Sequence, residues 1–166
     1  MRQETIDAML EHYREYVGRC GHLEVLIKNA ERQLKVYRAN PAAELVGSSG
    51  GMSGMPHGSS ISDPTSRIGL ALASGFVPAD IKELEADLKS AKTELDEKLP
   101  TVIFVEAWLK GLTEKERWII EAQVIDKMTW NNVIAQHQSK YSTQMSKDTL
   151  KRLKNRALAK IYQMAE

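Results

Sequence analysis

Ile6, Tyr13, Cys20, Ile27 and Leu34 recur every seven residues, and Met9, Tyr16, Leu23, Ala30 and Tyr37 repeat that interval three positions further on. A seam with this spacing, sustained over about five heptads, belongs to a helix that packs along its length against another helix. Residues 3–38 are therefore expected to form one long helix, about 50 Å at ~1.5 Å per residue. No proline interrupts it, and Gly18 and Gly21 weaken it by roughly 1 kcal/mol each relative to alanine. A second seam, Ile81, Leu84, Leu88, Ala91, Leu95 and Leu99, predicts another long helix from about Pro78 to Leu99. The two helices can satisfy each other as an antiparallel hairpin or pair with a second copy of the chain; the spacing does not choose.

Between the seams the composition changes. Asn40-Pro41 should end the first helix, because proline disfavours helical geometry in the residue before it. The run from Gly47 to Ser60 has little to bury, so residues 40–62 read as a flexible Gly/Ser-rich loop. Asp63-Pro64 has the form of an N-cap followed by proline at the first helical position, predicting a short helix to about Ala73.

Pro100 suggests the next boundary. It divides the sequence into a long-helix, coiled-coil-like region, residues 1–99, and a second region, residues 100–166. Residues 101–112, with Val102, Ile103, Phe104, Val105, Trp108, Leu109 and Leu112, read as a short buried helix in preference to a buried strand. Thr113-Glu-Lys-Glu116 is a capping box that starts a helix at Glu114 running to about Asp126. Thr129 can cap a short helix over residues 130–138, and Ser146 a last helix to about Met164. The fold class expected is all-α.

A net charge of +1 conceals an asymmetry: residues 1–100 carry twelve Lys/Arg against fifteen Asp/Glu, and residues 101–166 carry eleven against seven. Between Lys140 and Lys160 there are seven cations and a single acid, Asp148. Leu150, Leu153, Ala157, Ile161 and Met164 form one apolar stripe on the last helix. Lys147, Lys151, Lys154 and Asn155 lie away from it, and Arg152 and Arg156 on its flank. A helix with one apolar and one basic face can dock on a domain while entering a DNA major groove. Lys147, Asp148, Thr149, Lys151 and Arg152 are then placed for contact at or near base edges, and Lys154, Asn155 and Arg156 for phosphates. Trp108, Trp118 and Trp130 read as core residues, although Trp130, with Asn131 and Asn132, also begins the preceding helix, which should cross a DNA strand, and Lys140 adds charge near its end. Taken alone, such a basic amphipathic helix is more often a solvated face or a surface for acidic partners.

Residues 112–161 resemble the region-four helix-turn-helix domain of bacterial primary sigma factors. The resemblance rests on Leu112, Glu116, Arg117, Ile119 and Ile120, on Thr129 with Val133-Ile134-Ala135, and most specifically on Ser146-x-x-Thr149-Leu150-x-Arg152 followed by Arg156-Ala157-Leu158-x-Lys160-Ile161. From Ala135 to Ser146 is about five positions more than that family uses, so the turn, around residues 137–145, is expected to be enlarged. With the segment Gly54 to Thr65, which ends in Ser-Asp-Pro-Thr, most of the chain is similar to phage transcriptional regulators of the ArpU and RinA kind. That resemblance implies sequence-specific binding to double-stranded DNA and activation of phage late genes or a recombination gene in a bacterial host's cytoplasm. The N-terminal helices would mediate self-association or contact RNA polymerase.

Other chemistry finds little support. The glycine-rich run lacks Gly-Lys-Ser/Thr and follows no strand, so it is not a P-loop. His12, His22 and Cys20 lack metal-ligand spacing, and His57 reads as a solvated loop histidine. Cys20, the sole cysteine, sits on the seam as a small hydrophobe and fits a reducing compartment. No catalytic set, cofactor motif, membrane span or secretory signal is read in the sequence. Two other functions are consistent with it: a small-terminase-like DNA-packaging adaptor, and a coiled-coil interaction module that does not bind nucleic acid.

Overall fold

The computed structural model describes residues 2–41, 73–75 and 77–166, and every regular element among them is helical. They are α1 (Gln3–Glu11), α2 (Tyr13–Ala39), α3 (Ala79–Lys110), α4 (Glu114–Ile120), a π-helical turn (Glu121–Ile125), α5 (Trp130–Tyr141) and α6 (Lys147–Met164). The Gly/Ser-rich stretch and the short helix expected after Asp63 fall mostly on residues outside this description. No described helix is long and apolar enough to cross a membrane.

Two compact units are present, one built from Met1–Gly21 with Asp96–Glu166 and the other from His22–Leu95. In the second unit, Leu23, Ala30, Leu34 and Ile81 are buried. Glu31 pairs with Lys92 at 2.6 Å and Arg38 with Glu85 at 3.3 Å. Residue numbers rise along α2 as they fall along α3, so these segments run antiparallel. All ten positions of the N-terminal seam, from Ile6 to Tyr37, are buried or half-buried.

In the first unit, the expected single helix over residues 3–38 is interrupted at His12, whose φ of −96° and ψ of 5° separate α1 from α2. The interruption falls at neither glycine. It is one residue deep: His12 N–H still donates to the Ala8 carbonyl and Tyr16 N–H to that of His12. Leu10 and Tyr13, on either side, pack on the same core.

Pro100 does not end a helix. It lies inside α3, which continues to Lys110, so the separate helix expected over residues 101–112 is the last third of α3. The apolar spacing explains this. Ile81, Leu88, Leu95, Val102 and Leu109 form one series of sevens that crosses the proline in register, and Leu84, Ala91, Lys98, Val105 and Leu112 form the other. An interior proline costs about 3 kcal/mol. Val102, Val105, Leu109 and Leu112 are all buried, and each contributes roughly 1.5–3 kcal/mol. Burial therefore outweighs the lost hydrogen bond, and Pro100 itself sits on the exposed side.

Two apolar clusters organise this unit. The first joins Ile6 and Leu10 of α1, Val105, Trp108 and Leu109 of α3, Leu112, Ile120 of α4, Ile125, and Ala157 and Ile161 of α6. The second joins Ile119, Ala122, Val133 of α5 and Leu150 of α6, with Trp118, Met128, Trp130, Ile134, Met145 and Leu153 around them. Neighbouring residues Ile119 and Ile120 thus feed different clusters, and α6 enters one with its first turn and the other with its last two. The Tyr162 hydroxyl donates to Asp7 Oδ1 at 2.7 Å, tying α6 to α1. Its burial, and then that carboxylate, push the phenol up to about 12.

Because Pro100 is exposed within a helix whose buried face is already continuous, Pro100→Ala should raise stability by about 1–3 kcal/mol. Urea denaturation measures this; a loss of stability would show that the proline shapes α3.

Candidate nucleic-acid interface

The position of α6 is set first at its start. Ser146 has extended geometry (φ −70°, ψ 154°), and its Oγ accepts the Thr149 N–H at 3.3 Å and meets Thr149 Oγ1 at 2.9 Å. Asp148 in the first turn favours the positive end of the helix dipole. Leu150, Ala157 and Ile161 are completely buried, so the rotation of α6 about its axis is fixed.

That rotation sorts the polar residues into three strips at about 100° per residue. Asp148, Arg152 and Asn155 point away from the buried stripe and are exposed. Lys147, Lys151 and Lys154 occupy the flank nearer α5. Lys154 is half-buried and not fully turned outward as expected, with its ammonium 5.9 Å over the Trp130 ring. The helix start at Trp130 and the basic helix are thereby joined through a cation–π contact. Asn131 and Asn132 beside Trp130 are exposed. Thr149, Arg156 and Lys160 form the other flank, nearer α4.

Glu116 organises that second flank. It is 2% exposed. Its carboxylate accepts from Lys160 Nζ at 2.8 Å, from the Thr113 hydroxyl at 2.8 Å and from the Thr113 N–H at 3.2 Å, while Arg156 Nε stands 3.3 Å away. The capping box read in the sequence is formed, and the same carboxylate extends it across to α6. The Lys160 hydrogen bond, followed by those of Thr113, outweighs the desolvation of burial and holds the carboxyl down at about 2. Arg156 thus has a structural partner as well as an exposed side chain. Lys140, expected at the interface, is exposed, with its ammonium 3.7 Å from Glu114 and 5.2 Å from the Tyr141 ring centroid.

The turn before α6 is shorter than expected. Residues 137–141 belong to α5, which ends at Ser142 in left-handed geometry (φ 52°), its N–H bonded to the Gln138 carbonyl. Only residues 142–145 lie between this helix and the cap at Ser146, so the additional residues lengthen the helix and not the turn. His137 is the reason. It is buried, its ring packs on Trp118 and Tyr141 with centroids 5.5 and 4.9 Å away, and its Nδ1–H donates to the Thr143 carbonyl at 3.2 Å. A histidine among polar residues gave no apolar-period signal for this core role. Lys115 was also missed: with Arg152 and Arg156 it borders a cleft of about 640 Å³ floored by Tyr141, Met145 and Leu153. Only the fold brings it beside α6.

No family model, curated protein or solved structure matches this chain. Among the described residues, no group of three or more His, Cys, Asp or Glu is placed to hold a metal ion.

Glu116→Gln should cost about 1–2 kcal/mol, less than a fully buried pair, because Lys160 and Arg156 can rehydrate. The pH dependence has a definite sign. The Glu116 carboxyl lies below its ordinary 4.5 in the folded chain, so its stabilisation is complete above that value and fades as pH falls toward about 2. Chemical denaturation between pH 6 and pH 3 should show a steeper loss for the parent chain than for Glu116→Gln; equal slopes would remove Glu116 from this role.

Proposed function

We propose that this chain is a sequence-specific DNA-binding transcriptional regulator of the phage ArpU/RinA kind, acting in a bacterial cytoplasm. Its reader is a sigma-region-four-like helix-turn-helix made of α5 and α6. The antiparallel α2 and α3 form a helical hairpin that serves self-association or contact with RNA polymerase. The observation that carries this reading is the state of α6. It is locked by three fully buried residues and a side-chain cap, yet exposes Lys147, Asp148, Thr149, Lys151, Arg152, Asn155 and Arg156 along one outer surface.

A held helix with an exposed basic face suits duplex DNA because the major groove admits one helix and its phosphates line both walls. Arg152, on the outer strip, has the planar donors that read guanine edges; Lys147 and Lys151 on one flank and Arg156 on the other meet the two backbones. The short connection at residues 142–145 and the shared cluster of Val133 and Leu150 support a helix-turn-helix. Trp130 and Lys154 then approach the strand that α5 crosses.

Selection from a randomised duplex library should enrich a defined motif. Affinity for that motif should fall with salt at a log–log slope of about −0.9 per phosphate contacted. Lys151→Ala with Arg152→Ala should weaken binding at least tenfold, from roughly 1–3 kcal/mol for the Arg152 base contact together with a lost phosphate contact of Lys151, with thermal unfolding unchanged because both side chains are exposed. Full affinity in the folded double variant would sink the assignment of α6 as reader.

A further inference from the structure

The most apolar stretch of the sequence is not all absorbed by the core. Of residues 101–112, Ile103 is 54% exposed and Phe104 48% exposed. At about 100° per residue, Pro100, Ile103, Phe104 and Ala107 of α3 and Gly111 in the turn after it fall within an arc of roughly 100°, opposite the buried series Val102, Val105, Leu109 and Leu112. All five are exposed, and none is charged. Met164 extends the surface: it is 43% exposed, and its sulfur lies 2.5 Å from where a side chain on Gly111 would begin. Phe104 is held in place by stacking on Trp108, with ring centroids 6.4 Å apart and planes 19° from parallel. A continuous apolar stripe with a pre-positioned aromatic is the composition of a contact surface, unlike scattered single hydrophobes.

Charge placement identifies the occupant. Asp96 lies seven residues before Ile103 and Lys110 seven after it, each about 10 Å along the axis; Asp96 stands in line with the Ile103 side of the stripe and Lys110 just outside that same side. Neither has an ion pair among the described residues. We propose that this stripe binds the same stripe of a second copy of the chain, antiparallel, about a twofold axis near Ile103. Under that symmetry equal flanks meet. Ile103 and Phe104 then face their own counterparts, Pro100 faces the neighbourhood of Ala107, and each Lys110 faces the other copy's Asp96. Ala107 is small enough to let the two helices approach, and Met164, which covers Gly111, adds to the contact. The stripe is smaller than a standard interface, so the dimer is weak, with a dissociation constant on the order of 10–100 µM. This surface lies outside the α2–α3 seam and does not depend on whether α6 reads DNA.

Sedimentation velocity on the full chain from about 1 to 300 µM tests it, across the range expected for so small an interface. The parent chain should pass from monomer to dimer. Phe104→Glu should move the midpoint at least tenfold upward, as should Lys110→Glu, and Lys110→Glu combined with Asp96→Lys should restore it. If Phe104→Glu perturbs folding, Ile103→Gln takes its place, and the charge exchange reads the geometry independently. A chain that stays monomeric throughout overturns the proposal and leaves the stripe to a different protein. So does a dimer indifferent to Phe104→Glu and Ile103→Gln, or a charge exchange that fails to restore association.

Discussion

The carboxylate of Glu116 is the tie on which the C-terminal arrangement depends. A buried charge is tolerable only when its oxygens are occupied by good partners. Here they are occupied by Lys160, Arg156 and both donors of Thr113. One side chain therefore closes the start of α4 and holds α6 against it. Burial of Leu150, Ala157 and Ile161 fixes the rotation of α6, and polar contacts on its two flanks reinforce it. The carboxylate assigns one flank to α4, and the Lys154–Trp130 contact assigns the other to α5. What is left between them is the strip that carries Asp148, Arg152 and Asn155.

This division of labour separates structural from available charge. Seven cations between Lys140 and Lys160 look equivalent in the sequence. In the structure Lys160 is spent on a buried acid, Lys140 is exposed beside Glu114 and Tyr141, and Arg156 serves both sides. Lys147, Lys151 and Arg152 remain exposed along the outer surface of α6. The basic character of the helix is thus part scaffold and part exposed charge, and the proposed reading of DNA rests on the latter.

Much of the fold was legible because it is written in periodicity and capping. The heptads from Ile6 to Tyr37 marked residues that are buried or half-buried, and Thr113 and Ser146 marked helix starts. The break at His12 carries no signal in the spacing, whereas two other departures share a cause. Pro100 and the polar run at residues 137–141 are local signals for a break, and in both places burial outweighed them. The seam of α3 crosses Pro100 in register, and His137 is buried under Trp118 and Tyr141. A proline costs a fixed amount, whereas a continuous seam gains with every turn; the two series of sevens were visible and would have predicted the longer helix. His137 offered no comparable signal, since its burial depends on aromatic partners on two elements. Nor does sequence spacing reveal that residues 1–21 pack with residues 96–166.

The central claim is that α6 presents its outer surface to duplex DNA while its inner surface stays in the core. Backbone amide shifts of the isotopically labelled chain, followed as a library-selected duplex is added, test it most directly. The account predicts that perturbations concentrate at residues 130–132 and 147–156, while the amides of Ala157 and Ile161 change little. Perturbations confined to α2 and α3, or saturable binding that leaves residues 147–156 unmoved, would contradict it.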